Sequence, residues 1–144
     1  MATRTVVLTP GASYDVPPMP GVAVLDMSAL ACDGADWTAR AALGIQAASP
    51  AAPLLLVAAG SRARHAPALG FAQRAARRAV GGYVLVDPEL PAPRADWPDA
   101  PVTVVVTPHA DDDTRTSALA ARLRGWEVLE SDAVTAIEDV ATRP

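Results

Sequence analysis

The feature that most constrains this chain is an alternation. Short aliphatic, β-branched runs, each closed by turn residues, recur along its 144 residues with helix-period segments between most of them. The runs are TVVLTPG (Thr5–Gly11), GVAVLDMS (Gly21–Ser28), PLLLVAA (Pro53–Ala59), GGYVLVD (Gly81–Asp87), VTVVVTP (Val102–Pro108) and EVLES (Glu127–Ser131). They are nearly continuous in apolar residues, which is the pattern of strands covered on both faces. Strands alternating with helices give an α/β fold. The expectation is one domain over residues 1–144, a three-layer sandwich around a mainly parallel open sheet of about six strands, with the first two runs both buried.

The intervening segments carry helical signals. Asp36 stands where it would cap a helix WTARAALGIQAAS, whose Trp37, Ala41, Ile45 and Ala48 share one face. PALGFAQRAARRAV starts with Pro67, favourable in a first helical turn. TRTSALAARLRGW spaces Leu119, Leu123 and Trp126 for one buried face, with Gly125 set to end the helix, and Asp113 or Thr114 would cap it. A last helix turns Val134, Ile137 and Val140 inward. Two connections differ. ASYDVPPMP is too short and proline-rich for a crossover helix, and five prolines between Pro88 and Pro101 make that stretch an irregular loop.

Composition narrows the function classes. Half the residues are apolar (51%), so the chain can bury a core without metals or disulfides. No run approaches the roughly 20 apolar residues of a membrane span, and the start lacks a signal-peptide apolar core, so a cytoplasmic protein is expected. Cys32 is the single cysteine and reads as a small buried apolar residue. All 12 basic residues are Arg, and the net charge of -4 argues against nucleic acid as a partner. The five arginines between Arg62 and Arg78 read as a solvated helix face. DDD at Asp111–Asp113 lacks calcium-loop spacing, and two histidines without an ordered acid pattern predict no metal site. No cofactor motif is present either, since PGASYD is too poor in glycine for a phosphate loop.

In an open parallel sheet the ligand crevice lies beyond the carboxyl ends of the strands, where strand order reverses. The segments to inspect are therefore Pro10–Tyr14, Asp26–Ser28, Ala59–Arg64, Asp87–Leu90, Thr107–Asp113 and Ser131–Ala133. Among them PLLLVAAGSRARHAPAL (Pro53–Leu69) stands out, because an apolar strand breaks at a Gly-Ser pair and becomes helical. Here the sequence resembles the α/β-hydrolase family, in particular its small, lid-poor bacterial members, where a segment of the type PLVLVGHSGAG forms the nucleophile elbow. GGYVLVDPELP resembles that family's next strand, DWPDAPVTVVVTP and ARLRGWEVLE its last two strands with their helix, and VVLTPGA its oxyanion-hole strand.

That resemblance implies an α/β-hydrolase-like core with a damaged site. In the ungapped frame Gly60 stands at the nucleophile position, with Ala58 and Arg62 where the tight turn needs small residues. One residue later, Ser61 is the nucleophile candidate, flanked by Ala59 and Ala63. The family draws its catalytic His from the loop after the last strand, yet no His follows Glu127, and a Ser without a positioned base is a poor nucleophile. His109, beside Asp111, Asp112 and Asp113, is the substitute general acid or base; His65 sits too close to the elbow to serve as a triad member. Asp87 occupies a position where some members keep their acid, although Asp at a strand end also anchors turns. Ser13 and the Ala12 amide follow the Pro-Gly turn that would supply an oxyanion hole, and Gly11, Ala12, Ser13, Gly60 and Ser61 would form a ligand site. The helix after the oxyanion strand, the leading antiparallel strands and a lid between Asp87 and Pro101 are missing from this pattern.

Three functions follow from these residues. The first is a non-hydrolytic ligand-binding or accessory protein of specialised-metabolite biosynthesis, taking a small apolar ligand or a partner protein over its lid-less crevice, with a homo-oligomer also compatible. The second is an isomerase, cyclase or lyase using His109 or an Asp. The third is a residual esterase or thioesterase using Ser61.

Overall fold

A computed structural model describes residues 2–144. It is an α/β protein built on a six-stranded sheet, every strand parallel, with four α-helices. The strands are β1 (Thr5–Leu8), β2 (Ala23–Asp26), β3 (Leu54–Ala59), β4 (Val80–Val86), β5 (Val102–Val106) and β6 (Glu127–Glu130), in the order β2-β1-β3-β4-β5-β6. The helices are α1 (Trp37–Ala48), α2 (Ala66–Ala75), α3 (Asp112–Leu123) and α4 (Ala133–Ala141), and a 3-10 segment (Gly60–His65) joins β3 to α2. The chain moves outward from β1 to β2, then crosses back to β3, so strand order reverses between β1 and β3. All six expected strands are present, and the sheet is wholly, not mainly, parallel.

Successive residues of each strand feed opposite faces, which divides the core. Val7, Leu54, Leu56, Tyr83, Leu85 and Val104 pack against α1, α2 and Ala121 of α3. Val6, Leu55, Val57, Val84, Val86 and Val105 face Ile137 and its small neighbours on α4. The rest of that second face is covered without a helix: Ala12 and Met19 of the β1–β2 connection are buried on it, and Tyr14 and Val16 pack beside them. The proline-rich stretch thus supplies cover that a crossover helix would otherwise give. The Pro88–Pro101 loop is likewise irregular, and it buries Trp97 edge-on to Tyr83 and Trp126.

Several local expectations are corrected. β2 is not a buried strand; three of its four residues are exposed, because it is the outermost strand and only β1 pairs with it. The Asp36 side chain makes no cap bond to α1, and its own N–H is instead tied to Asp33 Oδ1. On the same helix Ala48 is exposed while Trp37, Ala41 and Ile45 are buried. α3 is capped by Asp111, whose carboxylate accepts the Thr114 N–H at 2.8 Å, not by Asp113 or Thr114. Its buried face is Thr114, Ala118 and Ala121, so Leu119 and Leu123 are exposed and Trp126 is only half-buried. A stripe of small side chains lets the helix lie close to the sheet, and that stripe has the same helical period as the leucines. On α4 Ile137 is buried as expected, while Val134 and Val140 are half-buried and Ala133, Ala136 and Ala141 complete the inner face.

Two helix ends show how the sequence stops a helix. After α3 the N–H of Trp126 bonds the Ala121 carbonyl and that of Gly125 the Arg122 carbonyl, with Gly125 at φ +79°. That is a Schellman closure with glycine in the left-handed position. α2 ends the same way through Arg78 to Gln73 and Arg77 to Arg74, but Arg77 takes the left-handed φ of +58°. The helix therefore stops at Ala75, five residues short of the Val80 that the pattern had included and that begins β4.

Candidate functional site

The carboxyl edge of the sheet collects most of the candidate residues. β1 lies hydrogen-bonded beside β3, which brings the Thr9–Gly11 turn next to the end of β3 and its 3-10 segment. The Thr9 hydroxyl donates to the Val57 carbonyl at 2.6 Å and locks the two strand ends together.

At the end of β3 the chain turns sharply. Ala59 is extended at φ -132°, Gly60 is left-handed at φ +60°, and the helical segment starts at once. A Cβ on Gly60 would meet nothing within 4 Å, so backbone conformation and not crowding favours glycine there. Gly60 thus holds the one left-handed position of this turn, and Ser61 follows it with an exposed side chain. Among the described residues no hydrogen bond joins Ser61 to either histidine. His65 is half-buried, its ring 6.0 Å from that of Trp37, and its Nε2 accepts from Arg64. His109 is exposed, and only its backbone N–H is engaged, by the Thr107 hydroxyl. Among the described residues the His109 imidazole has no hydrogen-bond partner.

The carboxylates beyond β4 and β5 are tied to the backbone. Asp87, at φ +43°, accepts the Thr107 N–H at 2.9 Å and the Thr107 hydroxyl as well, which clamps the end of β4 to that of β5. Asp111 is spent on the cap of α3, and its hydrogen bonds to Thr114 hold its carboxyl below the usual range. A shallow cleft of about 280 Å³ lies between these groups, lined by Gly60, Ser61, Asp87, Glu89, Asp113 and Ser117. Among the described residues no group of three or more His, Cys, Asp or Glu side chains is set to hold a metal ion. Tyr14, half-buried above this edge, has its phenol pushed up by burial and, second, by the charge of Asp87.

The amides expected to form an oxyanion hole are already used. The Gly11 N–H donates to the Ser28 carbonyl at 3.1 Å and the Ala12 N–H to the Thr9 carbonyl at 2.9 Å. Ser13 is exposed, and Ala12 is fully buried. The bond to Thr9 corrects the expectation that the Ala12 amide is a free donor.

One residue that the sequence treats as a steric misfit has a position of its own. Arg62 runs from the 3-10 segment back to the β1 turn, where its Nη1 faces the Pro10 carbonyl and its Nη2 the Cys32 carbonyl, both at 3.4 Å. A Cβ on Gly11 would overlap Arg62 Nη1, and Gly11 at φ +91° supplies both the turn and the space. The Pro10 carbonyl is shared with the buried Trp37 indole N–H, which donates to it at 2.9 Å. The glycine of a Pro-Gly turn facing the segment after β3 is the only sequence signal of this contact. Cys32 is half-buried, not buried.

A larger cavity of about 370 Å³ opens at the opposite, amino edge, among Thr3, Leu55, Gly82, Val140 and Arg143. Its charged groups are paired: Arg143 with Glu127 and Asp139, Asp99 with Arg74 and with the Tyr83 hydroxyl. Ligands of open parallel sheets sit at the carboxyl edge near the reversal of strand order, so size alone does not move the candidate site.

Among the described residues no helix is long and apolar enough to cross a membrane. Comparison with known proteins finds no matching family model, no matching curated protein and no matching solved structure, so the geometry above stands by itself.

Proposed function

We propose that this chain is a reduced α/β-hydrolase-like protein, in a three-layer arrangement, that binds a small molecule at its carboxyl-edge crevice without hydrolysing it. The observation that carries the reading is Gly60, which takes the left-handed turn at the end of β3 with no side chain to act as nucleophile. Two further features support it. The β1 turn adjoins this elbow, as an oxyanion strand would, but its Gly11 and Ala12 amides are bonded internally. Ser61 has no imidazole as hydrogen-bond partner among the described residues, so its hydroxyl has no base at neutral pH. The crevice has no lid, and a cytoplasmic accessory role in specialised-metabolite biosynthesis is the setting we infer, with an apolar small molecule or a covering protein as partner.

A serine-reactive fluorophosphonate tests the reading. The wild-type chain is expected to remain unlabelled under conditions that label an intact serine hydrolase. Labelling that disappears in Ser61→Ala overturns it. A binding protein should instead be stabilised by its ligand with no product formed, by about 2.7 kcal/mol at a hundredfold excess over Kd.

A further inference from the structure

Arg62 differs from the other half-buried arginines. Among the described residues these are Arg62, Arg78 and Arg124. Arg78 donates to Gln73 Oε1 at 3.0 Å; Arg124 donates to the Pro91 carbonyl at 2.8 Å and lies over the Trp126 ring. Arg62 has only its two 3.4 Å approaches to carbonyls, one of which already accepts a shorter bond from Trp37. No carboxylate pairs with it among the described residues, although Arg74, Arg94 and Arg143 each find one. A guanidinium partly withdrawn from water and left with bonds at the weak limit of length has unused donor capacity.

Its surroundings fit that reading. Arg62 lies where strand order reverses, beside the exposed Gly11. The segment that carries it, Gly60–His65, also holds Arg64 and His65 and contains no acid. Of the carboxylates along this edge, Asp26 and Asp33 accept backbone N–H groups on the β2 side, and Asp87 and Asp111 are consumed by Thr107 and Thr114 beyond β4 and β5.

We propose that Arg62 recognises a carboxylate on a ligand seated at the β1–β3 end of this edge, beside the Pro10–Gly11 turn and apart from the cleft lined by Asp87, Glu89 and Asp113, an inference that rests on the binding function proposed above. A guanidinium can pair with either a carboxylate or a phosphate, and the shortage of further free backbone donors here favours the carboxylate. A planar guanidinium matches a planar carboxylate through two parallel N–H bonds. A phosphate dianion calls for several converging donors, and here the neighbouring Gly11 and Ala12 amides are bonded elsewhere.

Titration of the full chain followed by proton–nitrogen correlation NMR tests this, with benzoate as the probe, benzamide as its neutral counterpart and inorganic phosphate as the competing anion. Benzoate should shift the Arg62 Nε–H and the Gly11 and Cys32 amides saturably. Benzamide should not, and phosphate should do no more than chloride at equal ionic strength. Arg62→Gln should weaken benzoate binding at least about tenfold, the loss of a charge-assisted hydrogen bond, with Arg62→Lys in between and Arg124→Gln unchanged. Dispersed spectra of Arg62→Lys guard against a merely misfolded Arg62→Gln. Absence of saturable shifts, retention of binding in Arg62→Gln, or phosphate binding as tight as benzoate overturns the inference. Fluorophosphonate labelling of Ser61 would overturn the non-hydrolytic reading alone, because benzoate binding is measured independently of it.

Discussion

The two halves of the carboxyl edge dispose of their charged groups in opposite ways. Beyond β4 and β5, two acidic side chains are turned back on the fold, Asp87 clamping Thr107 and Asp111 capping α3, while the exposed Glu89 and Asp113 line the cleft. Beyond β1 and β3, a guanidinium is drawn in among backbone carbonyls at 3.4 Å and, among the described residues, is given no counter-charge within ion-pair distance. Both halves look functional when only residue types are counted. They separate once partners are counted, because a charge whose hydrogen bonds are complete belongs to folding and one with donors to spare is available to a ligand.

The sharpest way to break this contrast is at Asp87. Asp87→Ala would leave the Thr107 N–H and hydroxyl without their acceptor at a half-buried strand end and would put Ala at φ +43°. A loss of about 2–3 kcal/mol in denaturant unfolding is expected, with Asp87→Asn losing less because it keeps an acceptor and tolerates the left-handed backbone. If Asp87→Ala unfolds like the wild type, the acidic half is not structural, and Asp87 returns as a candidate acid.

A smaller effect is expected at the elbow between the halves. Gly60→Ser supplies a hydroxyl at the turn with no steric clash, since nothing lies within 4 Å of the new Cβ. The left-handed φ then costs about 1–2 kcal/mol. The variant should fold and show no hydrolysis of p-nitrophenyl acetate above background, because among the described residues neither histidine is hydrogen-bonded to the elbow. Turnover by Gly60→Ser would show that only the nucleophile had been missing.

How much of this was legible in the sequence depends on the range of the interaction. The six strands were, because a parallel sheet writes itself as apolar runs, each readable within a few residues. The turn at Gly60–Ser61 was, because a glycine after an apolar strand needs only local chemistry to interpret. The exposure of β2 was not: GVAVLD reads as a buried strand, and only its outermost rank in the sheet leaves it uncovered. The face of α3 was not, because Leu119–Leu123 and Ala118–Ala121 are both helical stripes and the packing partner chooses between them. The state of Arg62 was least legible. It depends on Pro10, 52 residues away, and on Cys32, 30 residues away, and on a glycine that leaves room between them.

The smallest expected effect on folding bears most directly on the contrast. If Arg62 were a staple between the Pro10 turn and the Cys32 loop, its removal would destabilise the chain as the removal of Asp87 does. Contacts of 3.4 Å to two carbonyls are too long for that, and the Pro10 carbonyl keeps its bond from Trp37 when the guanidinium is gone. Arg62→Gln should therefore change stability by less than about 1 kcal/mol, measured in the same denaturant series as Asp87→Ala. The pair of measurements is more telling than either alone, since both residues are half-buried, lie on one sheet edge and differ in sign of charge. A loss of about 2 kcal/mol or more in Arg62→Gln would make the guanidinium a structural tie and erase the difference between the two halves. A near-neutral result beside a large loss at Asp87 leaves a charged group at the reversal of strand order that folding does not need.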